Sequence, residues 1–214
     1  MSIMEKKPKS IMAEAYRGLR TNIAYSSFDS KYQIISVTSA TPGEGKSTTA
    51  LNLAVSLAQS ENKVLLVDCD VRKPSLHKKM GISNVWGLTD LLTGKKNMDI
   101  SAKETNKNLT VLTSGTIPPN PAEMLASKVM SDFLEESRKH YDYIILDTSP
   151  LQAVTDAQIL STKADGTLIV VKANDTKKED VVASVDMIKK VNGKIMGIVL
   201  NGVKDNKKKY HYYE

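Results

Sequence analysis

The sequence predicts an α/β fold: one doubly wound, mainly parallel sheet flanked by helices. Three observations carry that expectation. Apolar, β-branched runs recur without polar alternation, at Ile34, Ile35 and Val37, in Lys63 to Asp70, and again near residues 109, 143, 167 and 195, as strands buried on both faces require. Stretches with apolar residues at helical spacing separate most of these runs, the alternation of a parallel sheet with crossover helices. A Gly-rich turn joins the first run to its helix, and carboxylates close two later runs. With 214 residues, 41% of them hydrophobic, the chain supports one sizeable core. One domain is therefore expected over residues 10–203, with 1–9 a mobile Lys-rich lead-in and 204–214 a basic, tyrosine-containing tail.

In chain order, Ser10 caps a helix from Ile11 to about Ser26, with Ile11, Ala15, Leu19, Asn22 and Ile23 near one face. Glu14, Arg17 and Arg20 recur every third residue on a neighbouring stripe. Taken alone, that stripe reads as a surface ladder worth a few tenths of a kcal/mol rather than a subunit contact. The first strand and the Gly-rich turn lead into a helix carrying Leu51, Leu53, Ala54, Leu57 and Ala58. The second strand, within Lys63 to Asp70, ends in Asp68 and Asp70, with Arg72 just beyond. Leu88, Leu91 and Leu92 suggest a short helix ending near Gly94, with Trp86 as packing and Lys95 to Lys107 a polar connection. A third strand covers Leu109 to Thr113. Asn120, Pro121 and Glu123 then make a helix-start signature for Ala122 to about His140. Tyr141 to Pro150 contains a strand ending in Asp147. Helix (Asp156 to Lys163), strand (Thr167 to Val171), helix (Lys178 to Val191) and strand (Ile195 to Leu200) follow, the last closed by Asn201.

Residues 39–49 read Ser-Ala-Thr-Pro-Gly-Glu-Gly-Lys-Ser-Thr-Thr. Between a strand and a helix such a turn is a phosphate cradle formed by Thr41, Pro42, Gly43, Glu44, Gly45, Lys46, Ser47 and Thr48. Glycines let the backbone wrap the phosphate oxygens, N–H groups at the helix start face them, and Lys46 reaches the outer phosphates. Ser47 would place its hydroxyl on Mg²⁺. Ala40 stands where the simplest G-x-x-x-x-G-K-S pattern has glycine, which an ordinary φ tolerates. Open α/β sheets bind ligands at the carboxyl ends of their strands, where Asp68, Asp70 and Asp147 arrive. The expected metal ligands are Ser47, Asp68, Asp70 and Asp147, with Asp147 acting through water and one acid free to orient or deprotonate a nucleophile. Arg72 either steadies a transferring group or makes a salt bridge. Asn201 is placed to touch a nucleotide base, and Asn201-Gly-Val-Lys-Asp lacks the Asn-Lys-x-Asp that reads guanine, which favours ATP.

A net charge of +6 suits phosphate ligands, acidic partners or an anionic membrane surface. Cys69 is the only cysteine, which excludes an intrachain disulfide or a Cys-x-x-Cys centre and suits a reducing cytoplasm. Met1 to Ser10 lacks an apolar leader core, and no run approaches the roughly 18 apolar residues of a membrane span. Membrane association would run through a partner or a surface. Three of the eight tyrosines, Tyr210, Tyr212 and Tyr213, lie in the last five residues. They read as a docked aromatic end, part of a lipid-facing basic tail, or phosphoryl acceptors.

In combination these pieces resemble the bacterial tyrosine autokinases of capsule and exopolysaccharide synthesis, in their separate cytoplasmic form, within the P-loop MinD/ParA-like superfamily. The matching segments are Glu14-x-x-Arg17-x-x-Arg20-Thr-Asn, Pro42-Gly-Glu-Gly-Lys-Ser47, Leu66-Val-Asp-Cys-Asp-Val-Arg72-Lys-Pro, Gly115-Thr-Ile-Pro-Pro-Asn-Pro-Ala-Glu123, Tyr141-Asp-Tyr-Ile-Ile-Leu-Asp147-Thr and the tyrosine tail. The resemblance implies an ATP- and Mg²⁺-dependent protein-tyrosine kinase whose tail is phosphorylated by a neighbouring subunit. It also implies a ring-like homo-oligomer contacted through Glu14, Arg17 and Arg20, which reverses the surface-ladder reading. A transmembrane adaptor of the chain-length determinant type would activate the kinase at the inner face of the membrane. Sugar-nucleotide or glycosyl enzymes as substrates, a cognate tyrosine phosphatase and no nucleic acid complete the implied partners. Lys46, with Asp68, Asp70, Asp147 and Arg72, would carry the chemistry, Asp68, with Asp70 as the alternative, taking the phenol proton. Two departures are Asp147-Thr-Ser-Pro in place of Asp-Thr-Pro-Pro and a short tail with few tyrosines. The rival is a partitioning or positioning switch ATPase without kinase activity. Such relatives carry a second lysine where Thr41 stands here. A metal-cluster carrier is disfavoured by the lone Cys69, and an inert binding subunit by Lys46 and the three acids.

Overall fold

The computed structural model describes residues 2–26, 32–98, 102–106 and 108–203. The apolar runs become strands β1 (Ile34–Ser39), β2 (Val64–Asp68), β4 (Leu109–Leu112), β5 (Tyr143–Asp147), β6 (Gly166–Lys172) and β7 (Ile195–Asn201), and a further strand, β3, spans Ala102–Asn106. They form one sheet in the order β3-β4-β2-β5-β1-β6-β7. All neighbouring pairs are parallel except β3 with β4. β1, β2 and β5 are buried at every residue, as the unbroken apolar runs require.

Period-two alternation divides that burial between two layers. Ile35, Val37, Leu66, Ile145 and Val170 face a core shared with α1 (Ile3–Lys6), α2 (Ile11–Tyr25) and α3 (Lys46–Ala58). Ile34, Leu65, Val67, Ile144 and Leu146 face the other side, against α5 (Leu88–Leu92), α6 (Pro121–Ala126), α7 (Lys128–Arg138) and α8 (Asp156–Lys163). Ile169 and Val171 extend that second layer onto α9 (Lys178–Lys190) through Ile188. Burying each such aliphatic side chain contributes about 2 kcal/mol. The helix start predicted at Ser10 is present, its hydroxyl accepting from the Ala13 N–H at 3.2 Å.

Four local readings are corrected. The lead-in is not mobile throughout: α1 buries Met4 completely, Glu5 accepts from the Ser2 N–H at 2.9 Å, and the Ile3 N–H donates to Asn52 Oδ1 at 2.7 Å. The connection from Lys95 to Lys107 contains β3, an antiparallel edge strand held by backbone pairing to β4, which needs no apolar run. A short helix, α4 (Leu76–Met80), follows β2 where no element was assigned. The helix expected from Ala122 to His140 is broken at Ser127, whose ψ is 158° and whose hydroxyl accepts from the Met130 N–H at 3.2 Å, so one serine starts α7. Asn120 does precede α6, yet its side chain makes no cap; its Nδ2 donates to Glu123 Oε2 at 3.1 Å. Tyr210, Tyr212 and Tyr213 lie outside the described residues. Among those residues no helix is long and apolar enough to cross a membrane.

Candidate active site

β1 ends at Ser39 and α3 begins at Lys46, so six residues must reverse the chain at the carboxyl edge of the sheet. Gly43 and Gly45 make this possible, with φ of 88° and 98°. Ala40 is not among the described non-glycine residues with positive φ, as its tolerance requires. The first intrahelical bond of α3 runs from the Thr49 N–H to Gly45 O at 2.9 Å. The preceding N–H groups of the first turn therefore lack intrahelical partners, and no acidic residue offsets the positive helix end. Pro42, Gly43, Gly45, Lys46, Ser47 and Thr48 line a cavity of about 540 Å³, whose other walls include Asp70, Arg72, Ser149 and Pro150. That size is ample for a nucleotide.

The last residue of β7 braces the loop. Asn201 Nδ2 donates to Glu44 O at 2.9 Å, and a Cβ on Gly45 would lie 2.0 Å from that nitrogen. The expected contact of Asn201 with a base is thus replaced by a support of the loop backbone. Glu44 is corrected too. Its side chain is buried, accepts from the Thr41 N–H at 3.0 Å and bonds the Thr176 hydroxyl, so it points into the protein. Thr41 itself is occupied internally, its carbonyl accepting from Ser39 Oγ at 2.8 Å. Gly45→Ala would combine a left-handed φ with that close approach. Nucleotide affinity is expected to fall at least roughly 100-fold, read by calorimetry beside a melting curve; unchanged affinity would refute the cradle.

Asp68 and Asp147 close β2 and β5 on the same rung of the sheet, which sets two buried carboxylates side by side. Asp68 Oδ2 accepts from the N–H groups of Ser75 at 3.1 Å and Leu76 at 3.0 Å. Its Oδ1 and both oxygens of Asp147 are buried without a hydrogen-bond partner. Lys46 Nζ donates to Asp70 Oδ2 at 2.8 Å and lies 3.5 Å from Asp147 Oδ1. Asp70 Oδ1 accepts from Ser149 Oγ and the Lys73 N–H, both at 3.1 Å. Burial pushes Asp68 up to about 7, helped by the Asp147 charge and opposed by the Leu76 and Ser75 N–H groups. Burial also raises Asp147, with Lys46 opposing. Lys46 rises even though burial works against its charge, because Asp147 and Asp70 outweigh the desolvation.

Unpartnered, buried carboxylate oxygens beside a hydroxyl are the donor set of a hard divalent cation. Ser47 supplies that hydroxyl, 3.3 Å from Lys46 Nζ. The expected convergence of three acids on one metal is corrected. Among the described residues no group of three or more acidic, histidine or cysteine side chains is spaced to hold a metal ion, because Asp70 turns both its oxygens to Lys46, Lys73 and Ser149. Mg²⁺ needs no such cage, since it takes one or two carboxylates and completes its shell with phosphate oxygens and water. Ser47 with Asp147 fits that demand and leaves Asp68 Oδ1 open.

Arg72 takes the salt-bridge alternative. Its Nε and Nη2 reach Asp156 at 2.8 and 3.2 Å, and Asp156 is fully buried at the start of α8. The guanidinium holds the segment after β2 against α8 rather than reaching for a transferring group. Ser149 is the residue the sequence reading missed: it appeared only as a departure from Asp-Thr-Pro-Pro, and its hydroxyl orients Asp70. Farther off, Arg17 bonds Glu14 at 2.8 Å and Pro8 O at 2.6 Å, and Arg20 donates to Ser56 O at 2.8 Å. Within one chain both arginines fasten α2 to its own neighbours.

Comparison with known proteins adds four findings. Residues 31–210 match the ParA family, described as NUBPL iron-transfer P-loop NTPase. The chain is 46% identical over 209 residues to tyrosine-protein kinase YwqD of Bacillus subtilis (strain 168), covering 97% of this chain and 88% of that protein. Among solved structures, the chimerical protein CapA2B2 superposes with a TM-score of 0.91 at 39% identity over 95% of this chain and 90% of that one. The kinase domain of the Escherichia coli tyrosine kinase ETK gives the same TM-score of 0.91 at 32% identity, over 98% of this chain and 83% of that one.

Proposed function

Because the chain belongs to the bacterial tyrosine-protein kinases of the ParA-type P-loop NTPases, we propose that this cavity transfers the γ-phosphoryl group of ATP to tyrosine hydroxyls. The acceptors include Tyr210, Tyr212 and Tyr213 of a second copy, in the service of capsular or exopolysaccharide synthesis and export. The observation that carries this reading is a buried carboxylate near neutral pKa, Asp68, on the same rung as Asp147, whose Oδ1 lies 3.5 Å from the loop lysine.

The free N–H groups of α3 and Lys46 bind the β- and γ-phosphate oxygens, Lys46 exchanging its carboxylate partners for them. Ser47 and Asp147 would hold Mg²⁺, which would supply neutralisation of the phosphate charge when bound. Asp70, fixed by Ser149 and Lys73, keeps the lysine aligned. Asp68 takes the phenol proton through its unpartnered Oδ1 as the tyrosine oxygen bonds to phosphorus and the bridging oxygen leaves with ADP. A pKa near the working pH suits a general base, whereas Asp70 has both oxygens engaged.

The ring-like self-assembly through Glu14, Arg17 and Arg20 is part of the same proposal. It requires Arg17 and Arg20 to trade their present carbonyl and carboxylate partners for a neighbour's groups. A transmembrane adaptor of the chain-length determinant type would recruit the chain to the inner face of the membrane. Sugar-nucleotide or glycosyl enzymes would be further substrates, a tyrosine phosphatase would reverse the reaction, and nucleic acid plays no part. The rival is a switch ATPase of the ParA or MinD type. Mass spectrometry after incubation with Mg²⁺ and ATP separates them: phosphate on Tyr210, Tyr212 or Tyr213 is expected, and turnover of ATP without phosphotyrosine would establish the switch. A kinase whose three tail tyrosines are Phe should label the tail of a Lys46→Met chain if transfer runs between subunits.

A further inference from the structure

Four side chains on the walls of the cavity are apolar, Pro42, Pro150, Ala153 and Val154, and the phosphates have no use for them. Pro42 lacks an N–H to give, and the other three follow β5 rather than the loop. The segment that carries these three is pinned to the end of β1. The N–H groups of Thr148, Leu151 and Gln152 donate to Val37 O, Ser39 O and Ala40 O at 3.0, 2.9 and 3.1 Å, and the Thr38 hydroxyl donates to Ser149 O at 2.8 Å. Leu151 is buried in the core layer of Ile169, and just past Val154 the carboxylate of Asp156 holds Arg72. Pro150 is buried, Val154 half-buried and Ala153 exposed, so the segment offers the cavity a fixed apolar ledge. That ledge adjoins the acids. Ser149, next to Pro150, donates to Asp70 Oδ1 at 3.1 Å, and Asp147, at the end of β5, shares a rung with Asp68.

Resting on the kinase reading, we propose that Pro42, Pro150, Ala153 and Val154 seat the phenyl ring of the acceptor and so determine its specificity for tyrosine. Tyrosine carries its one side-chain polar atom at the tip of a rigid apolar ring. Laid on the ledge, the ring loses water from a face that needs no hydrogen bond, while its hydroxyl passes Pro150 toward the acids. A purine is the poorer occupant, because its ring nitrogens and amino group would meet no donor or acceptor among these four side chains. Serine and threonine fit no better. Their hydroxyls stand one bond from Cβ, so bringing them to the acids would press peptide N–H and C=O groups against the apolar surface. Because the ledge is already held by β1 and Asp156, the acceptor does not have to order it on arrival.

The test uses the full chain and three synthetic peptides that differ only in carrying Tyr, Phe or Ala at one position. With the wild type the Phe peptide should compete with the Tyr peptide for labelling, and the Ala peptide should not. Ala153→Trp, which fills the seat, should raise the KM for the Tyr peptide about tenfold or more and end the competition by Phe. Val154→Thr, which keeps the size of the side chain and adds a hydroxyl, should raise that KM about fivefold. Affinity for ADP with Mg²⁺, read by calorimetry, should stay within about twofold in both variants. Should melting curves show that the tryptophan variant does not fold, the threonine variant decides. A wild-type KM for the Tyr peptide in the folded variants would overturn the seat. So would an ADP affinity that falls in step, which would give the ledge to the nucleotide. Label on neither the Tyr peptide nor the chain's own tail by the wild type would instead sink the kinase reading on which the seat rests.

Discussion

Replacing Lys46 by Met is expected to lower tyrosine phosphorylation by roughly 10³-fold or more while the chain remains folded. No other side chain can do its work: Arg72 is committed to Asp156, and Lys73 and Lys79 stand at the rim. The fold survives because both core layers are built on strand and helix faces away from the cavity. Stability should nevertheless respond to pH. Lys46 compensates Asp70 and Asp147, whose side chains are almost wholly buried. Without it Asp147, which burial already pushes up and Lys46 opposes, holds its proton to higher pH in the folded chain than in the unfolded one. The penalty is then absent in acid, where both states are protonated, and grows as pH rises and only the unfolded chain ionises. Circular dichroism melts at pH 5 and pH 8, beside label from γ-labelled ATP, check both halves. Full labelling of the tail by the variant would end the loop assignment.

Asp68→Asn should silence phosphoryl transfer and stabilise the protein at pH 8. Burial pushes its folded carboxyl up to about 7, against 3.8 for an unperturbed aspartate. Below the lower value both states are protonated and the burial costs nothing. Between the two the unfolded chain releases its proton and the folded chain keeps it, so stability falls as pH rises, and above the higher value the penalty is complete. Asparagine removes that penalty, and its carbonyl can still accept from the Ser75 and Leu76 N–H groups. The expected gain at pH 8 is on the order of 2 kcal/mol, or roughly 4–8 °C in melting temperature, vanishing near pH 4. The same protonation governs catalysis. In the wild type kcat/KM should climb with pH through about 7 as Asp68 becomes available. Retention of more than a tenth of the activity by the asparagine variant would move the base to another residue, Asp70 first.

Much of this was legible one residue at a time. Ile34 to Ser39, Val64 to Asp68 and Tyr143 to Asp147 announced themselves as doubly buried strands because a strand covered on both faces has no polar alternation to hide it. The turn from Gly43 to Ser47 was legible for a related reason: positive φ, helix start and phosphate affinity are properties of adjacent residues. The short edge strand Ala102–Asn106 and the helix Ile3–Lys6 were not, since their stability comes from what they lean on rather than from their own pattern.

The division of labour among the polar residues belongs to the tertiary structure. Asp68, Asp70 and Asp147 looked alike in the chain, yet one keeps an oxygen unpartnered between strand ends, one is consumed by Lys46 and Ser149, and one faces the lysine across 3.5 Å. Arg72 was taken by a carboxylate 84 residues away and Asn201 by a carbonyl 157 residues away. The sequence determined the strands, the loop and the supply of charge, because backbone conformation and burial answer to near neighbours. Which charge meets which was decided only when β2, β5 and β7 were brought to one edge, since a desolvated polar group is ruled by the nearest atom in space, however remote it is along the chain.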